Sequence, residues 1–169
     1  FYTQATNSPI RSLTSATPAL LTINQSVASS LLDTKMTGAF GLVKGGTGTL
    51  IVSNVTSTTT GNMIVSNGTL VVAIANSLGF STNVVVGGGT LELRTSDGIA
   101  NSASLSIAGS GIVKIGAGLT ETVARLFING TQQQKGTYGI TASAPDHPDD
   151  THFSGGGLIN VLQNPPIVP

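Results

Sequence analysis

At 169 residues the chain has the length of one domain and can bury a substantial core. Charged residues make up only 8%, against roughly 25% in ordinary soluble domains, and the formal net charge is zero. No basic patch can therefore be assembled for nucleic acid, and long-range steering of charged ligands is not expected. Cysteine is absent, which excludes disulfides and thiolate metal or redox chemistry. Abundant Thr, Ser and Asn and 22 glycines suit tight turns and strands better than helices.

In chain order, residues 1–18 are polar and interrupted by Pro9 and Pro18, with Phe1, Tyr2, Ile10 and Leu13 as apolar anchors. They predict an extended N-terminal arm. The chain begins at Phe1 rather than Met, which is expected of a processed form, a fragment or a sequence with its start missing, and a removed signal peptide is the preferred expectation. Leu20-Leu21-Thr22-Ile23 and Ser30-Leu31-Leu32 predict two short strands of a first, irregular coil. The longest apolar run, Leu70 to Ala75, is far below the roughly 18 residues that suggest a membrane span.

A glycine-led figure then recurs. It stands as Gly48-Thr49-Leu50-Ile51-Val52, Gly68-Thr69-Leu70-Val71-Val72, Gly89-Thr90-Leu91-Glu92-Leu93 and, loosened, Gly111-Ile112-Val113-Lys114-Ile115. The glycines step by 20, 21 and 22 residues, the mark of a solenoid in which each repeat is one coil. The third and fifth positions are always apolar and predict two core columns: Leu50, Leu70, Leu91, Val113 and Val52, Val72, Leu93, Ile115. The position between them, Ile51, Val71, Glu92 or Lys114, is expected to face solvent, with Glu92 and Lys114 paired across adjacent strands.

A second series accompanies the first. Leu42, Met63, Val84 and Leu105 are each 21 residues apart and predict another wall of the same core. Lys44 falls at an inward place, so its strand is expected to end at Val43 or to carry a bulge. An echo of Ile74-Ala75-Asn76-Ser77 in Ile99-Ala100-Asn101-Ser102 suggests a third wall and its corner, giving a triangular coil of about 20 residues. The coils are expected over 19–116.

The repeat is expected to stop after Ile115, with a terminal β element over 117–163. There Ala124, Leu126 and Ile128 form the inward set, Asn129-Gly130 signals a hairpin leading to Thr131 to Gln134, and Thr137-Tyr138 and Gly157 to Leu162 supply further strand. The loop 144–152 gathers Asp146, His147, Asp149, Asp150 and His152, which could hold a divalent cation. Their spacing matches no established metal loop, so an exposed loop without a structural metal is expected. Residues 164–169, with three prolines, predict an extended tail.

The run from Gly38-Ala39-Phe40-Gly41-Leu42 through Lys44-Gly45-Gly46-Thr47-Gly48-Thr49-Leu50, followed by Val65-Ser66-Asn67-Gly68-Thr69-Leu70-Val71-Val72, resembles the autotransporter-associated β-strand repeat of extracellular bacterial proteins. The resemblance covers about residues 20 to 115. Arg125-Leu126-Phe127-Ile128-Asn129-Gly130 and the closing Gly155-Gly156-Gly157-Leu158-Ile159-Asn160-Val161 are similar to the segment that often ends such arrays. The resemblance implies an all-β, right-handed parallel β-helix at or outside the bacterial cell surface. The family supplies no catalytic residues.

Catalysis is not expected, and neither is a cofactor or metal. Outside the terminal loop the acids are Asp33, Glu92, Asp97 and Glu121, with no grouping on one face, and both histidines lie in that loop. Two functions fit: a subunit of an extracellular fibre, sheath or surface layer that polymerises head to tail with copies of itself, or a monomeric adhesin displaying a face to a glycan or cell-surface ligand. For self-assembly the candidate residues are Phe1, Tyr2, Ile10, Leu13, Ile167 and Val168 on the termini and the outward Ile51, Ile64, Val71 and Val85. An adhesin should present an aromatic-lined groove or convergent polar cleft, and the coils offer only Phe40 and Phe80 as aromatics.

Overall fold

A computed structural model describes residues 12–26, 28–53 and 57–167. The chain is a parallel β-solenoid of about five turns, with about 21 residues per coil. The first coil contributes β1 (Ser12–Asn24) and β2 (Ser29–Leu32), and the second β3 (Lys35–Gly45) and β4 (Thr49–Val52), with the short β5 (Thr58–Thr59) also pairing with β3. Then follow β6 (Met63–Val65) and β7 (Thr69–Val72), β8 (Asn83–Val86) and β9 (Thr90–Leu93), and β10 (Ser104–Ile107) and β11 (Ile112–Ile115). The strands stack as two walls. One runs β1-β3-β6-β8-β10 and the other β2-β4-β7-β9-β11.

Register follows the 21-residue spacing. Leu42, Met63, Val84 and Leu105 are consecutive ladder partners in the first wall, and Leu50, Leu70, Leu91 and Val113 in the second. All eight are buried, and they form the core between the walls. Lys114 and Glu92 are partners in the same ladder, with their side chains 3.6 Å apart as an ion pair. Arg94 Nε adds a closer contact to Glu92 at 2.8 Å, which the column pattern did not reveal.

The leading glycines are needed for overlapping reasons. Gly68 adopts φ +64, a conformation that favours glycine, and a Cβ there would also lie 2.4 Å from the Gly48 carbonyl oxygen. Gly89 does not adopt that conformation, yet a Cβ there would lie 2.6 Å from the Gly68 carbonyl oxygen. Close approach of one coil to the next, rather than a sharp turn, excludes a side chain at that corner.

Four sequence expectations are corrected. The strand at Lys44 neither ends at Val43 nor bulges there, for β3 continues to Gly45 with Lys44 opposite Val65. The irregularity sits instead in β1 between Ser15 and Ala19, around Pro18, on an edge strand where a missing N–H is tolerated. The expected arm consequently gives way to strand from Ser12 onward.

The third wall is absent from the middle coils. Residues 74–80 and 95–99 are turns and bends, and the echo that suggested a strand is out of register by four residues. Asn76 stacks on Asp97, not Asn101: the Asn76 N–H donates to the Asp97 carbonyl at 2.8 Å, and both residues adopt the left-handed conformation, φ 60 and 59. The corner column is Met36, Ser57, Leu78 and Ile99, all buried and again 21 residues apart.

Finally, the coils do not stop at Ile115. A third wall appears at this end, where β12 (Thr120–Val123) pairs in parallel with β18 (Leu158–Val161). The first wall gains β13 (Arg125–Ile128), placing Leu126 on Leu105, and the second gains β17 (Phe153–Gly155), placing Phe153 on Val113. Ala124 and Leu126 are buried as expected and Ile128 is half-buried.

Residues 129–152, inserted between β13 and β17, close the end of the solenoid. The hairpin at Asn129-Gly130, both at positive φ, returns β14 (Thr131–Gln132) antiparallel along β13. The segment β15 (Gly136–Gly139) lies antiparallel on β18, with β16 (His147–Pro148) beside it. Two of the three walls thus end on strands that run against the coil direction.

Candidate functional site

The acids of the loop 144–152 serve as turn caps. Asp146 Oδ2 accepts from the Thr137 N–H at 2.8 Å and from Thr137 Oγ1 at 2.9 Å, and Asp150 accepts from the Thr141 N–H and hydroxyl at 2.9 and 2.6 Å. Asp149 accepts from the N–H groups of Thr151 and His152 and meets His152 Nδ1 at 2.7 Å. The His147 ring stacks on Tyr138 with centroids 4.7 Å apart. Donors from Thr137 hold the Asp146 carboxyl below the usual range, as those from Thr141 do for Asp150. Partial burial pushes Asp149 up, but the His152 and Thr151 donors outweigh it and its carboxyl is also held low. The carboxylates point to separate backbone donors, and among the described residues no three metal-ligating side chains gather around one point. The segment is partly exposed but well braced, rather than a free loop.

Two buried charges come next. Lys44 is fully buried, and its ammonium donates to the carbonyls of Gly45 and Gly46 at 2.8 Å each and of Asn67 at 3.1 Å. Three donors meet three acceptors: the inward lysine plugs the corner carbonyls of Gly46 and Asn67 and adds a second donor to the Gly45 carbonyl, which also accepts from the Gln25 N–H at 3.0 Å. Burial lowers its pKa. Lys44→Met removes all three donors while keeping the stem, and is expected to destabilise the protein by about 1 to 3 kcal/mol. Equal melting temperatures for Lys44→Met and wild type would contradict the plug.

Glu121 is also fully buried, its two oxygens each accepting at 3.0 Å from the N–H groups of Gly98 and Ile99 on the preceding coil. Burial pushes its carboxyl up to about 7, against the pull of the Ile99 and Gly98 donors and with a further push from Asp97. In the sequence Glu121 is one of several scattered acids. Its place between Thr120 and Thr122 on a strand gave no sign that it faces the core.

The outward apolar residues do not form one patch. Ile64 and Val85 are ladder partners on the first wall, half-buried, in line with Val43. Ile51 and Val71 lie on the second wall, and Val71 is not outward-exposed at all: between Ile51 and Glu92 in its ladder, it has no accessible surface. Val71 therefore drops out of any contact surface. The backbone of Leu13 pairs opposite Met36, and Ile167 is 95% exposed, while Phe1, Tyr2, Ile10 and Val168 lie outside the described residues.

No protein-family model matches the chain, no curated protein is similar to it, and no solved structure matches it. The likeness to the autotransporter-associated repeat rests on the motifs quoted above.

The two ends of the solenoid differ most. At the N-terminal end both walls finish on strands with one unpaired edge among the described residues, β1 and β2. Each carries an exposed leucine, Leu20 at 57% and Leu31 at 54%. Leu20 also borders two shallow grooves, one with Ala39, Gly41 and Asn62 and one with Thr14 and Phe40. At the opposite end β14 and β15 cover the first and third walls. No helix among the described residues is long and apolar enough to cross a membrane.

Proposed function

We propose that this protein is a structural, non-enzymatic subunit of an extracellular bacterial assembly, and that it joins a second copy of itself through the N-terminal end of the solenoid. The observation that carries the reading is the contrast between its ends: strand edges unpaired among the described residues, with exposed leucines, at one, and antiparallel strands over two of the three walls at the other. An unpaired edge offers a row of N–H and C=O groups to another strand, and natural proteins usually blunt such edges. In β1 Pro18 and the irregularity between Ser15 and Ala19 interrupt that edge, and the stretch 19–24 carries neither charge nor proline.

The closing strands narrow the head-to-tail expectation. A β13 edge already paired with β14 cannot template the β1 of a neighbour. The second wall ends on β17, whose outer edge has no strand partner among the described residues, so β2 of a neighbour can add there head to tail, while the β1 edge can meet the same edge of another copy in a self-complementary contact. Growth beyond a pair joined through β1 then needs that head-to-tail contact or lateral contacts, for which the Val43, Ile64, Val85 column is suited. The extracellular, bacterial part of the proposal is supported by the resemblance of the coil motifs, and the structural role by the low charge and the turn-capping use of the loop acids.

Light scattering over a concentration series tests the reading. The wild type is expected to exceed the monomer mass, and the Leu20→Asp, Leu31→Asp double variant to remain monomeric with unchanged circular dichroism. A wild type that stays monomeric at the highest attainable concentration would overturn the proposal.

A further inference from the structure

Where the middle coils lack a third wall, the turns of two successive coils frame a cleft of about 390 Å³, within the range of roughly 300 to 1,000 Å³ typical of small-molecule sites. Phe80 lines it and is 60% exposed, an unusual position for an aromatic ring in a chain with so few. Around the ring stand Asn76, Asp97, Asn101 and Ser102, with the buried Ile99 contributing an apolar edge.

The four polar side chains are exposed to solvent. No hydrogen bond among the described residues engages the side chains of Asn76, Asp97, Asn101 or Ser102. Their backbones are nevertheless well placed. Asn76 and Asp97 hold the same left-handed conformation on adjacent coils and are tied by the Asn76 N–H to Asp97 carbonyl bond. The two side chains therefore leave from equivalent points of neighbouring coils and remain free for a ligand.

The geometry points to this cleft as a binding site for a neutral, gluco-configured oligosaccharide. A pyranose with equatorial substituents presents a flat apolar face of C–H groups that can lie on the Phe80 ring, while the hydroxyls at its rim suit amide, carboxylate and hydroxyl partners. A carboxylate lines the cleft and no basic side chain does, so an acidic sugar is disfavoured. The site binds without cleaving. Glycoside hydrolysis needs two carboxylates flanking the bond, and Glu121, the other acid nearby, is buried on the Gly98 and Ile99 N–H groups. This inference does not depend on self-association.

The test uses the full chain with cellotetraose and, as the anionic comparison, trigalacturonate, followed by saturation-transfer NMR and titration. Cellotetraose is expected to receive saturation from the wild type, and Phe80→Ala to weaken its binding by about tenfold or more. The Phe80 ring is exposed, so circular dichroism of the variant should match the wild type. Asn101→Ala should weaken binding several-fold, and trigalacturonate should not bind. Absence of saturation transfer to cellotetraose at millimolar concentration, or equal affinity in Phe80→Ala, overturns the site. Tighter, Phe80-dependent binding of trigalacturonate overturns the neutral-sugar assignment.

Discussion

Replacing Leu91 by Ala is expected to lower the stability of the protein by about 2 to 5 kcal/mol, whereas Glu92→Ala should cost less than about 1 kcal/mol. Leu91 has no accessible surface and stands between Leu70 and Val113 in the second-wall column. Removing its side chain opens a cavity that two flanking coils, held in register by their own ladders, cannot close by collapsing. Glu92 points away from the core. Its contacts to Arg94 and Lys114 are made near the surface, where both cations are about half exposed and the interaction is screened. Thermal or urea unfolding of the two variants checks this, and equal shifts would contradict the assignment of columns.

The second large effect is at Glu121, where both substitution and pH should act. Glu121→Ala leaves the Gly98 and Ile99 N–H groups without an acceptor, and is expected to cost about 2 kcal/mol or more, since each unsatisfied buried donor costs about 1 to 3 kcal/mol. The sign of the pH effect follows from the raised carboxyl. With a value of about 7 in the folded chain and 4.5 as the reference, the folded state holds a proton between these limits that the unfolded state has released. Stability from this group is therefore fully present below pH 4.5 and falls as pH rises to 7, by a total of about 3 kcal/mol. The loop aspartates act in the opposite sense: their lowered carboxyls stabilise above about pH 3.8 and that contribution is lost on acidification. Stability should peak at about pH 4 to 5. In Glu121→Gln the decline toward pH 7 should vanish, and a decline of the same slope in that variant would contradict the role given to Glu121.

What could be read beforehand was the part of the fold governed by ladder register. Side chains 21 residues apart touch, so Leu42, Met63, Val84 and Leu105 show the coil directly in the sequence. The same step reaches Leu126, but Arg125 and Phe127 around it do not repeat the earlier figure, and the 129–152 insertion hides the continuation from Val113 to Phe153. At the corner, identity misled. Ile74 and Ile99 look alike, yet the backbone stacks Asn76 on Asp97 because the coil length, not the residue type, sets which turns meet. Lys44 and Glu121 escaped for another reason: they satisfy carbonyls and N–H groups left over at corners, and a sequence does not say which backbone groups are left over. The exposed Phe80 depended on the same corner, since a continuous third wall would have left no cleft beside it.

The central claim is that the N-terminal edge, unpaired among the described residues, is covered by a second copy. Amide hydrogen exchange measured on the full chain at low and high protein concentration tests it at the residues concerned. The account predicts that amides within 19–24 of β1 and 29–32 of β2 exchange more slowly as concentration rises, while those of β14 and β15 at the closed end are unchanged. Exchange in β1 and β2 that is independent of concentration, or slowing confined to β14 and β15, would contradict it.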